Sequence, residues 1–400
     1  MTSRRNFIKQ SALATAGTML LPNFLKALES QSSVQVNAQK ILVVIQLSGG
    51  NDGLNTIIPY RNDLYYQLRP QLALPDTKVL KASDSLAFHP SLSKLNELYD
   101  KGYLAVINNV GYPNPDRSHF RSMDIWHTAS NADEYLQTGW IGRYLDSSCT
   151  NCHVAHQAIE IDDTLSLALK GESIKGLAVK NPKKMYDILH NQFFQKVSKN
   201  IPQPGVDPSL HYLYKTLAET TSSADYIYDK SKVFQSSITY PNNEFAGQLK
   251  TVAELINSGI ETKVYYVSLS GFDTHVRQQP AHERLLAQYA ESVDAFISDL
   301  KKNNRFQDVM IMTFSEFGRR VAQNASNGTD HGTANNLFIM GKNLKKKGFI
   351  NETPDLSKLD DGDLIHQVDF RSVYATVLNK WLASNDPAIL NASFKLLDFI

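Results

Sequence analysis

The feature that most constrains this chain is the run Ile41-Leu-Val-Val-Ile-Gln-Leu47, apolar at all but one position and followed at once by Ser48-Gly-Gly-Asn-Asp-Gly53. A strand with one wet face alternates, whereas an unbroken apolar run has both faces covered, as in a parallel sheet sandwiched by helices. Similar runs recur at 103–108, 262–269, 308–314 and 336–340, each closed by polar or glycine residues. Between them, 92–99, 244–258, 282–303 and 369–382 carry apolar residues three and four apart, the helical spacing. The alternation predicts an α/β fold: a mostly parallel sheet with helices on both faces. The stretch 181–240 is polar and rich in Lys, Asn, Gln and Ser, and is expected to form a helical insertion.

A 400-residue chain that is 42% hydrophobic can bury a large core, and one α/β domain over residues 40–400 is the expected organisation. Forty-one Lys and Arg against forty Asp and Glu leave a formal net charge of +1. That balance gives no bulk electrostatic case for a nucleic-acid, anionic-membrane or acidic partner.

The N-terminus reads Ser3-Arg-Arg-Asn-Phe-Ile-Lys9, then a weakly apolar run from Ser11 to Leu21. Paired arginines before a short Ala/Thr/Leu-rich segment resemble a twin-arginine signal peptide, here assigned to residues 1–30, with cleavage expected between Ala27 and Ala38. The run is too short and too rich in Ser, Thr and Gly to span a bilayer. The expectation is export through the twin-arginine machinery to the periplasm or medium, with no stable membrane span after cleavage.

In an open α/β sheet, ligands bind beyond the carboxyl ends of the strands, and four such loops here hold metal-type side chains. They supply Asp52; Asp273 and His275; Glu316; and, just before the last strand, Asp330 and His331. Carboxylates and imidazoles gathered from separate strand ends suit a divalent metal, Zn, Mn or Mg, because no single segment offers enough ligands. Each residue taken singly reads as well as a helix cap, a turn former or a hydrogen-bonded histidine.

The segments Leu47-Ser-Gly-Gly-Asn-Asp-Gly-Leu-Asn55, Arg117-Ser-His-Phe120, Gly271-Phe-Asp-Thr-His275, Phe314-Ser-Glu-Phe-Gly-Arg319 and Asp330-His-Gly332 resemble the DUF1501 family, itself similar to the alkaline phosphatase and sulfatase superfamily. That resemblance implies that Asp52 corresponds to a first-strand metal ligand, Asp273 and His275 to a later Asp/His pair, Glu316 to an acidic ligand after the next strand, and His331 to a late histidine. Enzymes of this superfamily also use a nucleophile at a helix start, where the helix dipole favours negative charge. Ser118 corresponds to that nucleophile, with Arg117 or His119 holding an anionic group; the alternative is that Ser118 caps its helix.

The sequence also departs from the superfamily pattern. Ser315-Glu316-Phe317 stands where an Asp-His pair is usual, and Asp273 and His275 are two residues apart instead of four. His282 is the imidazole within reach that could compensate. A Cys/Ser-x-Pro-x-Arg segment is absent, which argues against a formylglycine sulfatase.

Cys149-Thr-Asn-Cys152-His153 matches the c-type haem attachment pattern. Covalent haem attachment needs an unfolded chain outside the cytoplasm, and structural zinc needs a second cysteine pair, so a local disulfide or two thiols is the expectation. Two functions follow. One is an exported metal-dependent hydrolase acting on phosphate or sulfate esters of a small molecule or glycan. The other is a secreted, non-catalytic binding or assembly protein with a degraded metal site.

Overall fold

The computed structural model describes residues 40–148, 155–199 and 208–400. The signal-peptide assignment and both cysteines, Cys149 and Cys152, lie outside the described residues. Among the described residues, no helix is long and apolar enough to cross a membrane.

The main sheet contains β1 (Ile41–Ser48), β2 (Leu104–Gly111), β3 (Ala158–Glu160), β4 (Leu177–Ala178), β5 (Val264–Ser270), β6 (Val309–Phe314), β7 (Asn335–Met340), β8 (Gly348–Phe349) and β9 (Val368–Asp369). Its order is β8-β2-β7-β6-β1-β5-β3-β4, with β9 also paired to β2. Only β7 runs antiparallel to its neighbours, so the sheet is mostly parallel as the apolar runs predict. The short strands β3, β4, β8 and β9 are too brief to give a periodic signal in the sequence.

Alternate residues of β1 point into two different cores, as the period of a strand requires. Ile41, Val43, Ile45 and Leu47 pack with Leu95 and Leu98 of α1 (Ser93–Asp100). The next helices along the chain are α2 (His119–Thr128), α3 (Trp140–Ser148), α4 (Pro182–Leu189), α5 (Gln192–Lys199), α6 (Pro208–Ser231), α7 (Glu244–Asn257), α8 (Gln278–Lys302) and α9 (Phe370–Thr376). Leu249 and Val252 of α7 and Leu286 and Val293 of α8 complete the first core. Leu42 and Val44 face the second, with Trp126 of α2, Trp140 of α3 and Tyr374 of α9. Each such aliphatic side chain contributes about 1.5–3 kcal/mol by leaving water, so this two-sided burial supplies the main driving force for the sheet. The segment expected to be a helical insertion carries α4, α5 and α6, with Tyr186 and Tyr228 stacked at 4.3 Å.

The last predicted helix, 369–382, is α-helical only over Phe370–Thr376 and continues as a π-turn over Val377–Trp381. Its widened turn brings the Trp381 indole N–H 3.0 Å from the Ile41 carbonyl oxygen, closing the start of β1.

Glu160, at the end of β3, is 4% exposed, and burial raises its carboxyl to about 7 although the Ser166 backbone N–H bonds it. The folded chain therefore holds this proton more tightly than the unfolded chain does. The contribution to stability is full below the ordinary carboxylate range and is lost as pH rises to about 7. Glu160→Gln has no such proton. Its stability relative to wild type should increase between about pH 5 and pH 8 in urea melts, and parallel pH profiles for the two proteins would refute the assignment.

Candidate metal centre

Strand order explains which loops meet. β6, β1 and β5 are adjacent and parallel, so Ser315–Arg319, Gly49–Asp52 and Gly271–His275 emerge side by side at one rim. β7 enters the sheet from that same rim because it is antiparallel, which brings in Asp330 and His331. β2 leaves there too, leading to Arg117, Ser118 and His119 at the start of α2.

The loops are joined by Arg319, whose side chain is fully buried. Its Nε donates to Gly50 O at 2.7 Å and its Nη1 to Thr329 O at 2.9 Å. Nη2 reaches Gly49 O, Phe272 O at 2.9 Å and Asp273 Oδ1 at 2.7 Å. Gly49 has φ of +116°, and a Cβ there would sit 2.4 Å from the Asp273 nitrogen. The close approach of these two loops therefore needs glycine.

Three imidazoles surround Asp273. Its Oδ1 lies 2.9 Å from His275 Nε2, 3.2 Å from His331 Nε2 and 3.4 Å from His119 Nε2. The outer nitrogen of each ring faces an oxygen: His119 Nδ1 lies 3.1 Å from Glu316 Oε1, His275 Nδ1 3.3 Å from Asp330 Oδ1, and His331 Nδ1 2.8 Å from the Arg117 carbonyl. An ionised carboxylate or a carbonyl oxygen only accepts, so each Nδ1 carries a proton toward its outer oxygen; each Nε2 faces the Asp273 oxygen and either carries a second proton there or gives its lone pair to a cation. His275 Nε2 and His331 Nε2 are 2.9 Å apart. Two lone pairs at that distance repel unless a cation or a proton lies between them.

The inner nitrogen of His119 is buried and makes no hydrogen bond. Ligand atoms of His119, Asp273 and His331 all lie within 4.8 Å of one another. The His119 and His331 imidazoles and the Asp273 carboxylate form a donor set suited to a borderline divalent ion such as zinc, with His275 Nε2 beside it, and each imidazole has the outer oxygen partner that metal-bound histidines usually have. An orphaned inward nitrogen and a converging ligand set therefore fit a metal.

The electrostatics fit it as well. Burial alone would raise the Asp273 carboxyl, but the Arg319 and His331 hydrogen bonds reverse this and hold it at about 2. The Glu316 hydrogen bond pulls the pKa of His119 up, whereas burial pushes that of His331 down. Asp330 is held low chiefly by Asn324.

The six residues expected as ligands thus divide. Asp273, His275 and His331 meet at one point. Glu316 and Asp330 stand one layer behind, and Glu316 also accepts the Gly49 N–H at 2.8 Å. Asp52 faces elsewhere: it is 1% exposed, caps the turn Gly53–Asn55, pairs with Arg69 at 2.6 Å and accepts from Gln278. Burial would raise its pKa, and Arg69 with His282 more than offsets that. A neutralised carboxylate with its lone pairs in use is not free to bind a cation. His282 does not compensate for a missing imidazole either, since it is buried in α8 with Nε2 2.9 Å from Asn51 Oδ1.

The anion-handling expectations also change. The Arg117 guanidinium is held by Asp363, with Nε at 2.7 Å, and by Asp361 at 3.4 Å, so its fork is occupied. His119, expected to hold an anion, instead turns its inner nitrogen toward Asp273. Ser118 occupies the N-cap position of α2, but its exposed hydroxyl makes no capping bond. Arg319 was visible within the Phe314–Arg319 motif, yet its role as a hub has no local sequence signal, because its partners lie in three other segments.

The fold and this cluster define an α/β protein with a rim-mounted histidine–carboxylate centre. A family model described as "Protein of unknown function (DUF1501)" matches residues 239–388, so the DUF1501 resemblance holds over the stretch containing Asp273, His275, Glu316, Asp330 and His331. No curated protein matches the chain. Among solved structures it is similar to the C-terminal periplasmic domain of EcEptC from Escherichia coli, in complex with Zn, at 12% identity and TM-score 0.38, covering 77% of this chain and 74% of that one. A protein in the alkaline phosphatase superfamily from Vibrio parahaemolyticus matches at 12% identity and TM-score 0.39, covering 89% and 67%. The PsFucS1 sulfatase from Pseudoalteromonas sp. matches at 10% identity and TM-score 0.41, covering 94% and 73%.

Arg319→Ala would orphan buried carbonyls in three loops and should lower stability by about 3 kcal/mol in urea denaturation. Arg319→Lys should recover little, because an ammonium cannot fork to the same acceptors. A variant within about 1 kcal/mol of wild type would show that the loops hold together without it.

Proposed function

We propose that the protein is an exported, metal-dependent hydrolase of phosphate or sulfate esters whose metal is held by His119, Asp273, His275 and His331. The observation that carries this is the shared geometry: three rings whose outer nitrogens face acceptor oxygens and whose inner nitrogens gather around one carboxylate. A bound divalent ion would supply Lewis acidity and a lowered pKa for an attacking oxygen. Glu316, Asp330 and the Arg117 carbonyl hold the rings in register. Ser118 offers its uncapped hydroxyl one residue before His119, at the positive end of α2, as the nucleophile. The first-turn N–H groups of α2 are the donors for an anionic ester group, since the guanidinium of Arg117 is already paired.

Protein purified without chelator should contain close to one Zn, Mn or Mg per chain by elemental analysis. It should turn over an aryl phosphate or aryl sulfate, and both metal and turnover should be lost in Asp273→Ala and His331→Ala. Glu316→Gln should weaken metal binding by about 10- to 100-fold, because it removes the negative charge of the outer partner of His119. Ser118→Ala should keep the metal and lose turnover. Metal-free wild-type protein would overturn the centre; metal-loaded protein inert toward both esters would overturn the hydrolase reading alone.

A further inference from the structure

A second polar cavity, of about 370 Å³, opens at the carboxyl ends of β1, β5 and β3 and is lined by Gln46, His127, Glu160, Lys180, Gln248 and Ser268 among others. None of the four residues assigned to the metal lines it. Gln46 is 3% exposed and interrupts an otherwise apolar strand. Its Oε1 accepts from the Tyr266 hydroxyl at 2.5 Å and lies 3.2 Å from His127 Nε2. The amide nitrogen of this lining residue is thereby left buried and without a partner. Gln248 Oε1 and Ser166 Oγ, on the same walls, are also buried and unpartnered. A buried amide N–H without an acceptor costs about 1–3 kcal/mol, so this group on the central strand calls for a ligand or water to satisfy it.

The walls select the ligand. An anion would meet the carboxylates of Asp162 and Glu244, while the single ammonium, Lys180, is already paired with Asp163 at 3.0 Å and Glu244 at 3.1 Å. A simple cation would leave the Gln46 N–H without an acceptor. Groups that donate and accept at once satisfy both sides, and Phe245 and Leu269 add an apolar patch for C–H groups. We propose that this cavity binds a neutral polyhydroxylated ring, a sugar residue or cyclitol, as a site separate from the metal centre. The volume lies within the range of small-molecule pockets. The site rests on its own geometry, whatever the metal centre does.

The test uses the full chain, with methyl β-D-glucopyranoside, methyl β-D-galactopyranoside and myo-inositol as neutral probes and ethanolamine and inorganic sulfate as charged ones. Binding is read by titration calorimetry and saturation-transfer NMR. At least one neutral probe should bind saturably, and Gln46→Leu should weaken it by about tenfold. Gln248→Ala, on the half-exposed side of α7, should do the same while keeping the wild-type circular dichroism and melting temperature, which covers the case in which Gln46→Leu fails to fold. Asp273→Ala should leave the affinity unchanged. No neutral binding, binding of ethanolamine or sulfate alone, binding undiminished in Gln248→Ala, or loss in Asp273→Ala would each overturn the proposal.

Discussion

One buried guanidinium holds the functional rim together. Arg319 has no exposed side-chain surface, and its donors end on backbone oxygens of Gly49, Gly50, Phe272 and Thr329 and on the Asp273 carboxylate. A desolvated guanidinium is tolerable only when its donors are satisfied. That requirement fixes the loops after β1 and β5 and the loop before β7 relative to one another. Every distance within the histidine cluster depends on that arrangement.

The same rim carries a second, inner polar network that keeps its charges to itself. Asp52 is neutralised by Arg69, which also donates to the carbonyls of Val321 at 2.7 Å and Arg320 at 2.8 Å. His282 bonds Asn51, whose backbone N–H in turn donates to Ser315 Oγ at 2.9 Å. Burial drives His282 down to about 4 and His89 down to about 3, so both rings are neutral near pH 7. These side chains brace the first loop from below. The rings above, whose inner nitrogens converge on Asp273, are the ones left for a ligand.

The fold was largely legible because its signal is local. Burying both faces of β1 demands apolar residues at consecutive positions, and covering helices must repeat at three and four, so strands and helices appear directly in the residue pattern. The short strands and the π-turn at Val377–Trp381 were not legible, since two or three residues carry no period and backbone widening leaves no mark in composition. Of the site, Asp273, His275 and His331 could be nominated from their positions at strand ends. His119 could be noticed but not given its part, because nothing in Arg117-Ser-His-Phe120 says that Glu316, 197 residues away, lies against its outer nitrogen.

What the sequence determined by itself was the layered architecture and the set of chemically able side chains at the ends of its strands, because burial and periodicity act over a few neighbouring residues. Only the tertiary structure decided the role of each: Asp52 turned inward to a guanidinium, Glu316 and Asp330 placed behind imidazoles, and His119 turned toward Asp273. The physical reason is that an ionisable group's role depends on what lies within about 3 Å of it. In this protein those neighbours come from strands that are distant in the chain and adjacent only in the sheet.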